Sequence, residues 1–513
     1  MTTTERLPAG EVELKLAARH AAAAGALPTR YVDDLFIAGE YRPAKSAERT
    51  ELVDPATGDV WGAVPVADAS DVDAAVAAAA RALPEWSRRG PSERAELLLA
   101  MADAIERRAE PLSITSTLEN GSPLSETALA AANAAGILRY FASLADWLAQ
   151  PDFRGSPNDR TVVTSVHRDP IGVCALIAPW NFPINLVLIK LAPALLAGCT
   201  VVVKPAPSTP LSVRYIIDAA TEAGIPAGVV NLVTGDATVG DRLVRHPLVD
   251  KVGFTGSTSV GRQVAAACGE LLRPVTLELG GKSAAVVLPD VDLDVLGSAL
   301  LRSCLRNTGQ TCYNSSRIVA TPERYDDVVE LAAAAVSAAV VGDPFDSATV
   351  FGPVATAAQR DVVRGYVRSG IREGARVATG GDVAPVFERG SWVVPTVFAD
   401  VDPGMRIARE EIFGPVLSIL RAADVDEAVA IANATEYGLG GIVFGQDEDY
   451  AFQVARRVDT GNIGLNFFTS NPAAPLAGRH DSGIGVEYGV EGLSQYLTLQ
   501  SVHRRLGIQE ASM

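Results

Sequence analysis

Between residues 171 and 279 the chain alternates continuous apolar runs with amphipathic segments, and this alternation restricts the possible fold more than any other feature. Apolar runs without polar alternation, such as 173–178 and 200–203, are typical of strands that are buried on both faces. Each run is followed by a stretch whose apolar residues have helical spacing, at 184–197 and 210–223. This order predicts a parallel sheet with helices on both faces, which is the doubly wound α/β class.

A second alternating region begins at residue 284 and continues to about residue 470, which indicates a second α/β domain. The segments 150–169 and 493–506 are rich in β-prone residues but lie outside the alternation, so they favour a small separate β element. A small antiparallel piece is predicted at 31–66. Further helices are predicted at 92–109, 123–148, 258–268, 294–306, 323–340 and 357–373, and further strands at 229–233, 251–254, 275–279, 284–288 and 317–320.

The charge of the chain argues against polyanionic partners. It has 44 Lys and Arg against 61 Asp and Glu, a formal net charge of −17, and its basic residues form only short pairs. We therefore expect neither nucleic acid nor an anionic membrane surface as a partner. The longest apolar tract, 186–203, is interrupted by Lys190 and Pro193, which predicts a buried helix and strand instead of a membrane span.

The cysteines indicate a reducing compartment. They are five in number, widely spread and without a C-x-x-C pair, so we predict no disulfide framework and no zinc site. The five histidines are too far apart for a metal pair on one helix face, and we predict no metal. Residues 1–28 carry acidic side chains and lack the apolar core of a secretory signal. The prediction is a cytoplasmic protein.

A glycine-rich turn between residues 251 and 268 is a candidate anion site. The sequence KVGFTGSTSVGRQVAAAC predicts a strand, a turn and a helix, in which Gly256 and Gly261 let a ligand approach the backbone closely. Free amide groups at the start of such a helix suit a pyrophosphate. A P-loop is excluded because Arg262 and Gln263 stand where Lys and Ser or Thr are required. A tight turn that binds nothing is the alternative.

Cys312 differs from the other cysteines in its surroundings. It ends the polar segment NTGQTC at 307–312, directly after an amphipathic helix. Accessible nucleophilic thiols occur in such loops, whereas a lone cysteine is more often a small buried apolar residue. That second interpretation is predicted for Cys174, Cys199, Cys268 and Cys304.

Two other polar residues follow apolar strands. Glu278, in TLELGG, is a candidate general base whose pKa would be raised by partial burial. The alternative for Glu278 is a salt-bridged carboxylate at a strand end. Asn181, in the loop PWNFP, is a candidate hydrogen-bond donor to an oxyanion, and a simple turn cap is the alternative.

Taken together, seven segments in order resemble the aldehyde dehydrogenase superfamily, and the likeness extends over residues 35–505. The spacing between Glu278 and Cys312 also resembles that of the family. The segments are PWNFP at 179–183, the Lys of VVVKP at 204, FTGSTSVG at 254–261, LELGGKS at 277–283, GQTC at 309–312, EEIFGPV at 410–416 and SGIGVE at 482–487.

The resemblance implies the oxidation of an aldehyde to a carboxylic acid with NAD(P). By this likeness the Cys312 thiolate attacks the carbonyl carbon, while the Asn181 amide and the Cys312 backbone N–H hold the oxyanion. Glu278 then activates the water that hydrolyses the thioester. The cofactor-binding residues implied by the likeness are Trp180, Lys204, Gly256, Ser257, Gly261, Leu279, Gly280, Glu411 and Phe413.

Two departures from the family pattern concern specificity. Pro207 stands where NAD-preferring relatives often carry a Glu that repels a 2′-phosphate, so NADP stays open. NAD is favoured because no Arg lies nearby in the sequence to bind a 2′-phosphate. Leu476 stands where relatives carry a Phe, which predicts a wider tunnel mouth. The predicted substrate tunnel favours an apolar or aromatic aldehyde and is lined by Phe182, Leu186, Ile189, Tyr313, Phe467 and Leu476.

The same likeness implies the domain layout. An arm with an open strand edge implies pairing with another subunit, and therefore a homodimer or a homotetramer. No role is predicted for the N-terminal extension. The predicted segments are the extension at 1–27, a Rossmann-like cofactor domain at 28–149 and 170–280, a catalytic domain at 281–475, and an oligomerisation arm with the C-terminal segment at 150–169 and 476–513.

Three other functions fit these residues less well. Relatives that acylate coenzyme A usually lack the Glu that Glu278 matches. A cofactor-free thiol hydrolase requires a His near Cys312, and none of the five histidines lies in a matching motif. A non-catalytic relative would be expected to lose Cys312 or Glu278, and the sequence has both.

Overall fold

The computed structural model describes residues 9–27 and 33–505. The helices of this part are α1 Ala9–Ala26, α2 Ala69–Arg88, α3 Pro91–Glu106, α4 Ala109–Asn120, α5 Leu124–Thr127, α6 Ala130–Ala142, α7 Ala145–Ala149, α8 Pro183–Ala197, α9 Pro210–Glu222, α10 Ala237–Arg245, α11 Thr258–Glu270, α12 Leu293–Cys304, α13 Pro322–Ala338, α14 Ala357–Glu373, α15 Arg406–Arg409, α16 Val425–Asn433, α17 Glu448–Ala455 and α18 Gly489–Ser494. The strands are β1 Asp34–Ile37, β2 Glu40–Pro43, β3 Arg49–Val53, β4 Val60–Pro65, β5 Asp152–Gly155, β6 Val162–Pro170, β7 Val173–Ile177, β8 Thr200–Lys204, β9 Val230–Leu232, β10 Lys251–Thr255, β11 Val275–Glu278, β12 Ala284–Val287, β13 Arg317–Ala320, β14 Arg376–Thr379, β15 Thr396–Ala399, β16 Val416–Arg421, β17 Tyr437–Gly438, β18 Gly441–Phe444, β19 Gly464–Leu465, β20 Arg479–His480, β21 Gly483–Ile484 and β22 Leu497–Arg505.

The first large sheet contains the apolar strands predicted between residues 171 and 279. Its order is β2-β1-β9-β8-β7-β10-β11-β21, with five parallel central strands and antiparallel strands at the edges. Every residue of β7, β8 and β10 is buried, as expected for strands with helices on both faces. The chain passes from β7 to β8 on one side and later to β10 on the other, so a crevice is expected at their carboxyl ends. The predicted Rossmann-like, doubly wound fold is confirmed.

The second large sheet has the order β14-β15-β16-β13-β12-β18-β19. All neighbouring strands are parallel except β14, which pairs antiparallel with β15. All residues of β12, β13 and β18 are buried. The second α/β unit predicted from the alternation is therefore confirmed, while the proposed domain boundaries stay predictions.

A third sheet is formed by β5, β6 and β22, all antiparallel. β22 pairs with β6 along its whole length, from Leu497 opposite Pro170 to Arg505 opposite Val162. All residues of β22 after Leu497 are exposed. The β character predicted for 150–169 and for the end of the chain is confirmed up to Arg505, and the predicted residues 506–513 lie outside the described part.

Two predicted helices have different bounds in the structure. The predicted helix 92–109 is α3, which ends at Glu106, and the predicted helix 123–148 is divided into α5, α6 and α7. Helix α4 was not predicted, because its Ser and Thr residues have low helix propensity. The Thr115 and Ser116 hydroxyls donate to carbonyls one turn earlier, those of Pro111 and Leu112, at 2.7 and 2.9 Å. The Ser113 and Thr117 hydroxyls instead lie 2.9 and 2.8 Å from the Thr127 hydroxyl.

The stretch Leu124–Ala149 contains α5, α6 and α7. By length and composition alone it is long and apolar enough to cross a membrane. In the structure α6 packs against α3 and α8. Ala134, Leu138 and Phe141 of α6 are fully buried in the core around the first sheet. The apolar character of this stretch is therefore used inside the fold.

Helix α1, for which the sequence predicted no role, connects distant parts of the chain. Leu16 packs with Ala56, Phe387 and Trp392 in a small apolar cluster. The buried His20 lies between two carboxylates, with Nδ1 2.6 Å from Asp54 and Nε2 3.1 Å from Asp343. Burial lowers the pKa of His20, but hydrogen bonds from Asp343 and Asp54 outweigh it and raise this pKa to about 9. We name His20, Asp54 and Asp343 the N-terminal cluster.

Candidate active site

The loop before Cys312 has an unusual backbone conformation. Asn307, Thr308 and Gly309 have φ angles of +54°, +55° and +76°, a region that residues other than glycine rarely adopt. A Cβ atom at Gly309 would lie 2.0 Å from the carbonyl oxygen of Gly414, so only glycine fits there. Such a conformation persists only where the surroundings hold it, which is frequent at functional sites.

Asn181 is tied to this loop. It lies in the turn between β7 and α8, is 4% exposed, and its Nδ2 donates to the Gln310 carbonyl at 3.0 Å. The Gln310 side chain is fixed in turn, because Ala355 N donates to its Oε1 at 2.9 Å. The Asn181 amide has two N–H bonds and uses one in this contact. Within the described part of the chain no second acceptor bonds this amide nitrogen, so its other N–H bond can donate to a ligand.

Cys312 is partly exposed, while the four other cysteines are buried as predicted. Burial of the thiol and the charges of Glu411 and Glu278 raise the pKa of Cys312 to about 12. A Cβ atom at Gly281 would lie 2.6 Å from the Cys312 carbonyl oxygen, so the turn that follows Glu278 packs directly on the cysteine. The structure brings the two predicted residues into one site.

Glu278 ends β11 at the carboxyl edge of the first sheet, as predicted. It is 4% exposed, and its Oε1 has no hydrogen-bond partner. Burial and then the charge of Glu487 raise the pKa of Glu278 well above its ordinary value, while Lys190 acts in the opposite direction. The salt-bridge alternative is not supported by a direct ion pair of Glu278 in the described residues.

Sequence reasoning missed the two charged residues beside Glu278. Lys190 Nζ lies 2.8 Å from Glu487 Oε1, with both side chains almost fully buried, and it donates to Thr255 Oγ1 at 2.5 Å. The interruption of an apolar helix by Lys190 was a visible signal, because a buried lysine requires a partner. Nothing in the sequence indicated that Glu487 supplies it. We name Lys190, Glu278 and Glu487 the strand-end cluster.

The residues predicted to bind a cofactor lie at the carboxyl ends of adjacent strands. Trp180 follows β7, Lys204 ends β8, and Ser257 follows β10 and caps the first turn of α11. Lys204 is 5% exposed, and burial lowers its pKa to about 8 while the charge of Asp236 acts against this. The start of α11 presents backbone N–H groups that no helical carbonyl can accept.

The glycines of this region permit close packing. A Cβ atom at Gly261 would lie 2.4 Å from Leu279 Cδ2, and one at Gly280 would lie 2.5 Å from Glu411 Oε2. A Cβ atom at Gly256 would lie 2.5 Å from the ring of Phe254. These contacts bring the turn after β10 against the turn after β11.

Glu411 and Phe413 approach from the second sheet. Glu411 Oε1 accepts from Gly281 N at 3.1 Å, and burial raises the pKa of Glu411 to about 7. The Phe413 ring meets the Trp180 ring edge to face, with centroids 5.4 Å apart. These two contacts join Glu411 and Phe413 to the carboxyl edge of the first sheet, where the other residues predicted for the cofactor lie.

The residues predicted for a substrate tunnel are brought together in part. Phe182 and Tyr313 both contact the side chain of Arg306, and the Tyr313 ring stacks on Phe468 with centroids 4.7 Å apart. Phe468 was not predicted, whereas the predicted Phe467 is 61% exposed and its place in the tunnel stays a prediction. Leu186 and Leu476 pack against the core around the first sheet, in which Ile189 is almost fully buried.

Among the residues that the structure describes, no group of three or more His, Cys, Asp and Glu is arranged to hold a metal ion.

Comparison with known proteins identifies the family. Residues 41–502 match the model of the aldehyde dehydrogenase family. The chain is 49% identical to geranial dehydrogenase of Castellaniella defragrans over 472 residues, which cover 91% of this chain and 98% of that protein. The structure is similar to that of a variant of aldehyde dehydrogenase C from Pseudomonas syringae with NAD+ and octanal, with a TM-score of 0.88 and 39% identity over 93% of this chain and 97% of that one.

A second solved structure is of an enzyme that depends on NADP. It is an NADP-dependent enzyme of E. coli, with a TM-score of 0.89 and 36% identity over 92% of this chain and 98% of that one. Both comparisons cover almost the whole described chain, including the site around Cys312. The chain belongs to the aldehyde dehydrogenase family.

Proposed function

We propose that the protein oxidises an aldehyde to a carboxylic acid through a thioester on Cys312, which a water activated by Glu278 then hydrolyses. The observation that carries this proposal is the convergence of a partly exposed thiol, a free amide N–H of Asn181 and a buried carboxylate with an unpaired oxygen. These groups come from three separate parts of the chain. Each matches one requirement of acyl transfer and hydrolysis.

In the first stage Cys312 acts as the nucleophile. Its sulfur forms a bond to the aldehyde carbon, and the carbonyl oxygen takes the negative charge. The second Asn181 N–H and the Cys312 backbone N–H are placed to donate to this oxygen. The raised pKa of Cys312 means that its thiol must lose a proton before attack, so this stage is expected to accelerate as the pH rises.

In the second stage Glu278 acts as the base. Its raised pKa makes it a stronger base than a solvated glutamate, and its free Oε1 can accept a proton from water. The resulting hydroxide attacks the thioester carbon, the carbon–sulfur bond breaks, and Cys312 leaves as the thiolate. The acid is released.

A nicotinamide dinucleotide is the proposed ligand of the residues at the carboxyl edge of the first sheet. When bound, NAD(P)+ would accept the hydride that leaves the thiol adduct. The residues that would hold it are Lys204 near the adenosine ribose, Ser257 and the first turn of α11 at the pyrophosphate, and Glu411 at the nicotinamide ribose. The backbone N–H groups in the first turn of α11 support this proposal, because they can donate hydrogen bonds to the pyrophosphate.

NAD is the cofactor that we favour over NADP. Pro207 does not repel a 2′-phosphate, but Asp236 is close enough to Lys204 to affect its pKa. A 2′-phosphate beside Lys204 would therefore meet the negative charge of Asp236. Relatives use either nicotinamide, since one solved structure contains NAD+ and another is of an NADP-dependent enzyme.

The assembly and the compartment are also proposals. We infer a homodimer or homotetramer, because β22 is a long edge strand with Leu499 and Val502 exposed. Five cysteines without a disulfide are consistent with a cytoplasmic protein. The relative named geranial dehydrogenase and the solved structure that contains octanal both support an apolar aldehyde.

The deciding experiment follows NAD(P)H absorbance across aliphatic, aromatic and polar aldehydes, with each nicotinamide separately. Cys312→Ala is expected to abolish aldehyde-dependent NAD(P)H formation, a loss of at least about 1,000-fold for removal of a covalent nucleophile. Cys304→Ala is the matched control, because that thiol is buried in α12 and takes no part in the scheme. Undiminished turnover by Cys312→Ala would overturn the proposal.

A further inference from the structure

Thr308 has the least favourable backbone conformation in the turn before Cys312. Three successive residues of this turn, Asn307, Thr308 and Gly309, have positive φ angles of +54°, +55° and +76°. Glycine adopts this left-handed region freely, and asparagine tolerates it. For a residue that is branched at Cβ, such as threonine, a positive φ is rare and strained. The surroundings of Thr308 must therefore hold it in this conformation.

The side chain of Thr308 is bonded to one residue, Gly352. The Thr308 hydroxyl oxygen accepts from Gly352 N at 3.1 Å, and its O–H donates to the Gly352 carbonyl oxygen at the longer distance of 3.5 Å. Thr308 is 1% exposed, so solvent does not replace these contacts. Because they would be lost if the turn relaxed, they offset the backbone strain.

Gly352 is itself fixed in place. A Cβ atom at Gly352 would lie 2.4 Å from the Gly121 carbonyl oxygen, and one at Gly121 would lie 2.7 Å from Pro353 Cγ. Gly121 caps the end of α4 with a φ of +72°, and its N–H donates to the Thr117 carbonyl at 2.9 Å. The Thr308 hydroxyl is therefore bonded to a backbone segment that packs directly on the end of a helix.

The same end of α4 supports the proposed oxyanion donor. Asn120, the last residue of α4, donates from Nδ2 to the Trp180 carbonyl at 3.0 Å, directly before Asn181 in the chain. Asn120 Oδ1 accepts from Ser122 N at 3.0 Å, which fixes the amide. The turn before the thiol and the loop of Asn181 are thus held against one end of one helix. Their relative position decides whether both can act on the same carbonyl group.

Two other contacts of the turn act on its neighbours and not on Thr308. Asn307 Nδ2 donates to the Asn181 carbonyl at 3.2 Å, and the backbone of Gly309 packs on that of Gly414. Both contacts fix residues that tolerate the left-handed region. The bonds of the Thr308 hydroxyl are therefore the contacts that offset the strain at the residue that does not tolerate it.

We propose that Thr308 is a positioning residue for the nucleophile: its hydroxyl, bonded to Gly352, holds the turn before Cys312 in the left-handed conformation that aligns the thiol with the Asn181 donor. The inference rests on the proposed function, in which Cys312 attacks the aldehyde. Thr308 is buried and has no contact with substrate or cofactor in that reaction. Its substitution is expected to slow attack by Cys312 and to leave the KM for the nicotinamide within about twofold of the wild type.

The test measures acylation of Cys312 by p-nitrophenyl acetate, an activated ester, through the rate of the first burst of p-nitrophenol. This reaction requires the thiol and the oxyanion donors but no nicotinamide, so it reports alignment separately from cofactor binding. The burst of NAD(P)H with hexanal and the KM for the nicotinamide are measured beside it.

Four variants separate the hydroxyl, the backbone strain and the shape of the side chain. Thr308→Ser keeps the hydroxyl, and Thr308→Ala removes it at similar size. Thr308→Gly removes both the hydroxyl and the strain, while Thr308→Val keeps the branched shape without the hydroxyl. The expected order of acylation rates is Ser, close to the wild type, then Gly, Ala and Val, with Val about 10- to 100-fold below Ser. A role in packing alone predicts the reverse, with Val fastest and Gly slowest.

The matched control is Thr200→Val. Thr200 is also fully buried, and its Oγ1 donates to the Ala79 carbonyl at 2.9 Å, but it lies at the start of β8 in extended conformation. This variant is expected to lose stability and to keep the acylation rate of the wild type. An equal loss of rate in Thr200→Val and Thr308→Val would overturn the inference.

The remaining outcomes separate the inference from the proposed function. In active enzymes, a rate for Thr308→Val equal to that of Thr308→Ser would overturn the inference alone. Should Thr308→Val fail to fold, equal rates for Thr308→Ser and Thr308→Ala would overturn it instead. A wild-type enzyme that shows neither burst would overturn the proposed function itself.

Discussion

The N-terminal cluster and the strand-end cluster are both buried groups of three ionisable side chains, but they are satisfied to different degrees. In the N-terminal cluster both nitrogens of His20 meet a carboxylate. In the strand-end cluster Lys190 forms an ion pair with Glu487. Among the described residues, neither oxygen of Glu487 nor Oε1 of Glu278 has a hydrogen-bond partner. Satisfied buried networks stabilise a fold, whereas strongly shifted, incompletely paired groups are typical of functional sites.

The pKa values of His20 and Glu278 are both raised, but for opposite reasons. His20 keeps its proton more strongly than a solvated histidine because two carboxylates hold it. Glu278 keeps its proton more strongly than a solvated glutamate because burial and Glu487 disfavour its charge. The first shift stabilises the folded state at neutral pH, and the second destabilises it.

Among variants of the two clusters, Glu278→Gln is expected to have the largest effect, and that effect is on catalysis. Loss of the base is expected to slow hydrolysis of the acyl-enzyme by about 10²- to 10⁴-fold. Hydride transfer in the first turnover should persist, so stopped-flow absorbance should show a burst followed by a slow steady state. The free energy of unfolding should not fall, since the variant removes a carboxyl whose ionised form is disfavoured by burial and by the charge of Glu487. An unchanged steady-state rate would contradict the assigned role.

A smaller effect is expected for His20→Ala, and on stability instead of rate. The change leaves Asp54 buried without its partner, which should lower the free energy of unfolding by about 1–3 kcal/mol in chemical denaturation. NAD(P)H formation at 25 °C should match that of the wild type, because no residue of α1 belongs to the proposed active site around Cys312.

The matched control for His20→Ala is His480→Ala. His480 also pairs with a carboxylate, Asp459, at 2.6 Å, but both side chains are about half exposed. Such surface pairs contribute about 0–1 kcal/mol. Equal destabilisation by the two variants would remove the distinction between a buried satisfied cluster and a surface pair.

The smallest expected effect is the pH dependence of that difference. The folded pKa of His20, about 9, exceeds its ordinary value of 6.5. The stabilisation is therefore complete below about pH 6.5, declines as the pH rises, and is lost above pH 9. Unfolding of the wild type and of His20→Ala at pH 6 and pH 10 measures this change. A stability gap that stays constant with pH would show that His20 stabilises by packing alone.

The sequence predicted the parts of the fold that depend on local pattern. The runs in β7, β8 and β12 could be identified because continuous apolar strands are distinctive. Helix α10 was missed although Asp236 caps it, because a nine-residue helix that contains Gly240 gives a weak periodic signal.

The site could be predicted where a motif carries the residue, as for Cys312, Glu278 and Asn181. The partners of these residues could not, since Lys190 and Glu487 meet only through the tertiary fold. The stack of Phe468 on Tyr313 could not be predicted, for a local reason. Asn466 has a φ of +59°, which interrupts the alternation of sides that an extended chain would give.

The contact between Gly309 and Gly414 has a mechanical consequence. Gly309 lies three residues before Cys312, the proposed nucleophile, and Gly414 directly follows Phe413, one of the residues predicted to bind the cofactor. With no side chain between the two backbones, there is no soft element to absorb a displacement. We therefore expect a displacement of the segment around Phe413 to shift the loop before Cys312, which would couple cofactor binding to the position of the thiol.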